Sequence, residues 1–507
     1  MFSRPTSTFV DALPRVARRR GAVAGLSLVL LVMPGVAVAA PAVPTVPTTP
    51  TLQGPIPRTA TSIPIGTAQL PGAAESVDLA RNGYVEEEYF VSGNANVYEY
   101  DASGQTLQVK TPNVPYTTLI LVRRPKNPHR FSGTVQYEMS HPQFGVDTQV
   151  WAWNHDKMMR DGDAWVRITT SRGGPLTSSV GLAKEYDPIR YASINYPEDG
   201  LNWDVIAQVG KLIKSGGPTS PLAGYPVRRM LMSGWSGAGA IVQIWVNDFS
   251  RVMRMPGGGP IVDGYIVGEP SGYPRINSTA PAIPATDPRQ KVIPPGVPVI
   301  KLHSHPEPAS QQRPDSDAPA DRYRTWEVAG PAHADAATHP DQFPTFLQLK
   351  NTSFGATMYP FRCQHPMNAF PFRQQWGVAL ENLERWTTDP RWSPPHAQRI
   401  RLNADGTTAK DANGNELGGV RSIGLDVPTA TYFDTNAPLP GDAGFCSNSS
   451  VGHQEAFSHQ KLKALYPTHG VYVLKVTLRA AQLVREGWLL PADAVEAVAE
   501  AARADVP

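Results

Sequence analysis

The chain of 507 residues carries 46 Lys and Arg against 44 Asp and Glu, with 41% hydrophobic residues, 51 Pro and two Cys. That apolar content excludes wholesale disorder, and the near balance of charge gives no electrostatic reason to expect nucleic acid or an anionic membrane surface as partner. Two thiols cannot build a disulfide-rich scaffold or a four-thiolate zinc site.

The N-terminus reads as a targeting segment. Arg15, Arg18, Arg19 and Arg20 precede an apolar run from Gly21 to Val36, which ends in Ala37-Val38-Ala39. A basic cluster, an apolar run and then small residues are the layout of a secretory signal peptide. Residues 1–39 are therefore predicted to be removed near Ala39, leaving a secreted protein of the extracellular space or cell envelope. Pro34 and Gly35 keep the run short of the roughly 20 residues a spanning helix needs, and no later segment is long and apolar enough. Residues 1–39 hold five Arg and one Asp, so 41 basic and 43 acidic residues lie beyond them. Residues 40–70 have proline every few positions, which fixes φ and removes amide donors, and read as an extended Pro/Thr-rich linker.

Beyond residue 70 the chain reads as one α/β unit, a core over about 71–340 with cap and C-terminal helices over about 341–507. Apolar runs bounded by turn residues predict strands at Thr117–Val122, Gly133–Met139, Ala164–Thr169, Met230–Ser233, Gly264–Val267, Val297–Leu302 and Tyr323–Val328. Helical patterns lie between some of them, at Asn202–Ile213 and Ala238–Phe249. That alternation argues for a mainly parallel sheet flanked by helices. Asp405-Gly406 and Asn413-Gly414 favour tight hairpin turns, and the spacing of DANGNE does not fit a calcium loop. Leu474–Ala502 reads as two amphipathic helices split at Leu490-Pro491.

The sharpest motif is Gly234-Trp235-Ser236-Gly237-Ala238-Gly239, between a short apolar strand and a helix pattern. A nucleophile elbow needs small residues two places either side of the serine, so that the chain turns sharply and Ser236 projects from the sheet edge. The amide of Gly237, at a helix N-terminus, is then an oxyanion donor. The base belongs on the loop after the final core strand, and Tyr323–Val328 leads to His333. His453 and His459 are competitors in a polar C-terminal stretch. His303 and His305 alternate along a strand end, but no third ligand at metal-like spacing accompanies them, and neither a metal nor a cofactor is expected. The acid is expected after the strand ending at Leu302, where Glu307 is the nearest carboxylate; Asp315, Asp317 and Glu269 are the alternatives. The second oxyanion donor is expected after Met139, from Ser140, His141 or Gln143, because Pro142 has no amide proton.

These residues resemble the secreted alpha/beta hydrolase domain-containing proteins, whose elbow usually reads Gly-x-Ser-Gln-Ser-Gly. Asp187-Pro188-Ile189-Arg190-Tyr191 is similar to that group's Asp-Pro-x-Arg-Tyr segment, and Arg324–Asp335 to its strand-plus-histidine signature. Asn413–Val427 resembles its Gly-Gly-x-Arg stretch, and Leu465–Asp493 its C-terminal helices. The resemblance spans about residues 70–505 and implies an alpha/beta-hydrolase fold with a C-terminal cap-like extension, and a hydrolase. Two departures stand out: Gly237-Ala238-Gly239 replaces Gln-Ser-Gly, and His305-Pro306 stands where the group carries an acid.

Cys363 and Cys446 are expected to be bonded to each other in an exported protein, tying the post-core segments together over the Ser236 site. The expected activity is that of a secreted serine esterase on a small-molecule or lipid-like ester, through Ser236, His333 and Glu307, with Trp235 beside the nucleophile favouring an uncharged group. The alternatives are a peptidase or amidase on the same triad and a catalytically silent binding protein.

Overall fold

A computed structural model describes residues 43–142, 149–170, 179–272, 275–339, 341–442, 446 and 451–507; the expected signal peptide lies outside them. The main sheet holds β1 (Thr51–Gln53), β2 (Tyr84–Tyr100), β3 (Leu107–Pro125), β4 (Thr134–Met139), β5 (Ala164–Ile168), β6 (Arg229–Trp235), β7 (Gly264–Gly268), β8 (Val299–His303), β9 (Ser316–Ala318) and β10 (Asp321–Glu327). Their spatial order is β1-β2-β3-β5-β4-β6-β7-β8-β10-β9. The stretch β5-β4-β6-β7-β8-β10 is parallel, and antiparallel strands flank it on both sides.

Parallel strands are covered on both faces, which is why they read as unbroken apolar runs. The pleat sends alternate side chains to opposite sides. On β6, Met230 and Met232 enter one hydrophobic cluster while Leu231 and Trp235 enter a second. On β7, Tyr265 and Val267 divide from Ile266 in the same way. The helices α1 (Gln149–Asp161), α2 (Ser179–Tyr186), α3 (Asn202–Ser215) and α4 (Gly237–Ile244) follow their strands. Buried residues of α3 and α4 fill the first cluster, and those of α1 fill the second.

After β10 come the short α5 (Pro344–Leu349) and α6 (Ser353–Met358), then α7 (Phe372–Thr388) and α8 (Ile423–Asp426). The hairpin β11 (Ala430–Phe433) and β12 (His453–Ala456) precedes α9 (His459–Leu465), α10 (His469–Glu486) and α11 (Pro491–Arg503). The last two flank Leu490-Pro491 as expected. Gly406 and Gly414 turn at φ 86° and 82°, and Asp411 Oδ1 accepts from the amides of Asn413 and Asn415, as a plain hairpin turn requires.

Two expected boundaries move. Residues 51–70 are not a free tether: β1 adds to the sheet edge, and Ile65 and Thr67 are buried. The reason lies in two arginines buried on the sheet. Arg123 donates to Gly66 O at 2.6 Å and Arg167 to Ile65 O at 3.0 Å, so this segment's carbonyls accept from guanidinium groups buried on the sheet. Nor is α7 part of a cap. Trp376 and Leu383 join Leu231, Ile266 and Ile300 in the second core cluster, which makes α7 a layer of the sandwich.

The strand β2 escaped the pattern because YVEEEYFVSGNANVYEY carries acids at successive positions. Glu86 meets Arg123 at 2.9 Å and Glu88 meets Arg190 at 2.6 Å, so these acids are paired inside the fold. Tyr191 also donates to Glu88, at 2.8 Å, and its hydroxyl accepts from Ile65 N. The Asp-Pro-x-Arg-Tyr segment is therefore a clamp on β2 and the N-terminal segment.

Candidate active site

Ser236 stands at the turn from β6 into α4 with φ 58° and ψ −119°, a conformation L-residues rarely adopt. Backbone bonds hold it there: Ser236 N donates to Gly268 O at 3.0 Å, and Ala240 N donates to Ser236 O at 3.0 Å. A Cβ on Gly234 would come 2.6 Å from the Ala238 carbonyl carbon, and one on Gly239 would come 2.0 Å from Gly268 O. The tightest approach thus belongs to Gly239 against β7, a contact between distant residues that the motif does not reveal. Gly237 opens α4, so its amide has no intrahelical acceptor and lies at the positive end of the helix.

His333 lies beyond β10, as expected, and is tied to the elbow. Trp235 Nε1 donates to His333 O at 3.0 Å, and the two rings lie 5.1 Å apart. Trp153 packs edge-on against Trp235 and donates Nε1–H to Asp335 at 3.1 Å, fixing the loop a second time. Burial raises the Asp335 carboxyl to about 6. Trp235 is itself buried, so its ring braces the histidine loop from below, contrary to the expectation that it selects the substrate.

The carboxylate that faces His333 is Glu269. Its Oε1 accepts from His333 Nδ1 at 2.6 Å and from His305 Nδ1 at 2.9 Å. Its Oε2 accepts from the Ser304 amide at 2.6 Å and the Ser304 hydroxyl at 2.5 Å. Glu269 directly follows β7, at φ 31°. Burial alone would raise its carboxyl, but its interactions with His305 and His333 outweigh that and hold it well below the usual range. Burial alone would lower His305; Glu269 outweighs it and lifts the imidazole to about 9.

Glu307, the acid expected from the sequence, is elsewhere. It lies 2.8 Å from Lys301 Nζ and 2.8 Å from Arg399 Nη1, while its amide donates to Glu327 at 2.9 Å. Burial would raise it, but His303 and Lys301 hold it at about 2. Glu307 is thus one anion of a buried ionic cluster that joins β8, β10 and residue 399. Asp315 accepts from the Thr325 amide and meets His396 at 2.9 Å, and Asp317 meets Arg324 at 2.5 Å. Of the four carboxylates considered, Glu269 alone meets His333. His303 and His305 also part company, one turned to Glu307 at 3.6 Å and the other to Glu269.

The loop after β4 changes one expectation. The Ser140 amide donates to Ile168 O at 3.1 Å and its hydroxyl accepts from Thr170 N, so Ser140 completes the sheet and has no amide to offer an oxyanion. His141 is buried, and a Cβ on Gly237 would come 2.7 Å from its Nε2. That ring occupies the space a side chain at 237 needs, which accounts for glycine where the resembled group has Gln. Gln143 lies outside the described residues. Cys363 and Cys446 are bonded, with Cα atoms 5.4 Å apart.

A mainly parallel sheet with helices on both faces, turning into a helix through a strained serine, defines the alpha/beta hydrolase class. The family model of the alpha/beta hydrolase domain matches residues 52–499, and the chain belongs to that family. No curated protein matches. Among solved structures, esterase Est22 is similar at 13% identity and TM-score 0.27, over 47% of this chain and 67% of that one. Thermogutta terrifontis esterase 2 phosphorylated by paraoxon is similar at 10% identity and TM-score 0.24, over 42% and 71%. Among the described residues, no helix is long and apolar enough to cross a membrane.

Proposed function

We propose that the protein is a serine hydrolase of carboxylic esters, with Ser236 as nucleophile, His333 as base and Glu269 as the orienting acid. The observation that carries the reading is the His333–Glu269 bond of 2.6 Å on a loop fastened to Trp235, the neighbour of the strained Ser236. Glu269, ionised and held by Ser304, fixes the proton on His333 Nδ1 and leaves Nε2 basic. Ser236 Oγ then attacks the ester carbonyl while its proton passes to Nε2. The alkoxide of the collapsing tetrahedral intermediate takes that proton and departs as alcohol. Water repeats the sequence on the acyl-enzyme, releasing acid and regenerating Ser236. The Gly237 amide supports the oxyanion.

A peptidase or amidase would use the same groups on a poorer leaving group. The silent-binder reading drew on the absence of an acid after Leu302, and the partnership of Glu269 with His333 removes that support. We also propose that the protein is exported, on the pattern of residues 1–39; the Cys363–Cys446 bond, of the kind oxidising compartments sustain, supports it.

The test is hydrolysis of short-chain p-nitrophenyl esters by the wild type beside Ser236→Ala and His333→Ala. Turnover that falls to background in both folded variants is expected. A wild type inert on esters and amides, with Ser236 unlabelled by a fluorophosphonate, would overturn the assignment.

A further inference from the structure

Away from the serine, three side chains with metal-binding chemistry converge. His453 opens β12 opposite Phe433 on β11, and its ring stacks on Phe433 at 4.3 Å between centroids, with 2° between the planes. The ring of His365 lies 4.6 Å from that of His453, and its backbone is fixed by Asn436, which donates to His365 O at 3.0 Å. Glu455, two residues along β12, brings a carboxylate oxygen to 3.9 Å from His453 Nε2. One ligand atom from each of the three lies within 4.8 Å of the other two.

The tautomer of His453 is set by its surroundings. Nδ1 faces the carbonyl of Thr435, which can only accept, so Nδ1 carries the proton and Nε2 keeps its lone pair. A backbone carbonyl behind one ring nitrogen is the arrangement that orients metal-binding histidines. Tetrahedral zinc at about 2.0–2.1 Å from each ligand sets ligand atoms about 3.3 Å apart. The trio must therefore close by up to about 1.5 Å, a rotamer adjustment open to His365 and Glu455, which are exposed.

We propose that His365, His453 and Glu455 bind one divalent transition-metal ion of the zinc type, with water completing its shell. Two imidazoles and one carboxylate suit zinc and its neighbours rather than calcium or magnesium, which take all-oxygen shells. The ion joins the segment after Cys363 to the start of β12. That segment is already fastened there, since Asn368 N donates to Gly452 O at 3.0 Å. Gly452 packs so closely on Ala332 that a Cβ at 452 would come within 2.3 Å of the Ala332 side chain. The site thus braces the stretch that supports the His333 loop without touching the reacting groups.

The experiment uses the untagged full chain, dialysed against a chelator and titrated with Zn²⁺ in a calorimeter, with Co²⁺ as a spectroscopic probe. One ion per chain is expected, with visible Co²⁺ bands and a rise in melting temperature. His365→Ala and Glu455→Ala should each weaken binding by about 100-fold or more, as loss of a direct ligand exceeds loss of an outer-shell partner. Both positions are exposed, so the metal-free melting temperatures should match the wild type and show that the variants fold. A wild type that binds no ion, or variants that bind as tightly as wild type, would sink the site. Neither readout depends on ester hydrolysis, so the site stands or falls apart from the serine-hydrolase reading.

Discussion

Glu269 Oε1 lies 2.6 Å from His333 Nδ1, although the two residues are 64 positions apart and follow strands that are not neighbours, β7 and β10. The strand between them, β8, leads directly into Ser304, whose amide and hydroxyl hold the other oxygen of Glu269. The acid therefore reaches across the carboxyl edge of the sheet from β7 and is gripped on the way.

This geometry separates Glu269 from Glu307 by experiment. Glu269→Gln should lower kcat/KM for an ester by roughly 10⁴-fold, because a neutral amide no longer selects the productive tautomer or stabilises the imidazolium. Glu307→Gln should leave kcat nearly unchanged but lower stability by about 3–5 kcal/mol, since Lys301 and Arg399 lose a buried counter-charge. Esterase assays beside urea melts of both variants check this. A Glu307 variant that folds like wild type and loses turnover would falsify the assignment.

The elbow, the histidine loop and the parallel strands are legible in the sequence because each rests on local rules. Apolar runs, turn residues and small side chains around Ser236 are visible in a few residues. The carboxylate that meets His333 is not, because its place depends on which strand ends beside the His333 loop. Glu269 does sit directly after its strand, but nothing local says that the partner of His333 follows β7 rather than β8. Ser140 escapes for a similar reason. Only the pairing of its amide with Ile168 O shows that it extends the sheet. The proline-rich stretch at 51–70 reads as unfastened because the donors that hold it, Arg123 and Arg167, lie far along the chain and are invisible to composition.

His305 shares Glu269 Oε1 with His333, and its imidazole titrates at about 9, so it is a cation at neutral pH. Its charged neighbours are Glu269, Asp434 and Glu416. A group raised in the folded state gives its full stabilisation below its unfolded value of about 6.5 and loses it as pH rises through about 9. Partial exposure screens the effect, leaving about 2 kcal/mol. His305→Gln should therefore be less stable than wild type at pH 6 and close to it at pH 10. Melts of wild type and variant across pH test this.

The disulfide closes a separation of 83 residues that includes α7 and the β11 strand. Cys363→Ser with Cys446→Ser should destabilise the protein by about 2–4 kcal/mol through the freed unfolded chain. Reductant should lower the melting temperature of wild type and leave the double variant unmoved. Equal melting temperatures for wild type with and without reductant would show that the bond adds nothing.

The fit of His141 against Gly237 supports one more test. A side chain at 237 meets the buried ring at 2.7 Å, and a ring so enclosed has little room to turn. Gly237→Gln, which restores the residue typical of the resembled group, should cost about 1–3 kcal/mol by overpacking. It should also lower turnover, because the clash falls beside Ser236 and displaces the Gly237 amide that we propose supports the oxyanion. His141→Ala in the same chain opens the space the glutamine needs, so the double variant should recover stability relative to Gly237→Gln alone. A double-mutant cycle measured by urea melts reads that coupling directly, and contacting residues typically couple by about 0.5–3 kcal/mol. Additive losses would mean that the two side chains do not compete for the same space, and the buried His141 ring would no longer account for glycine at 237.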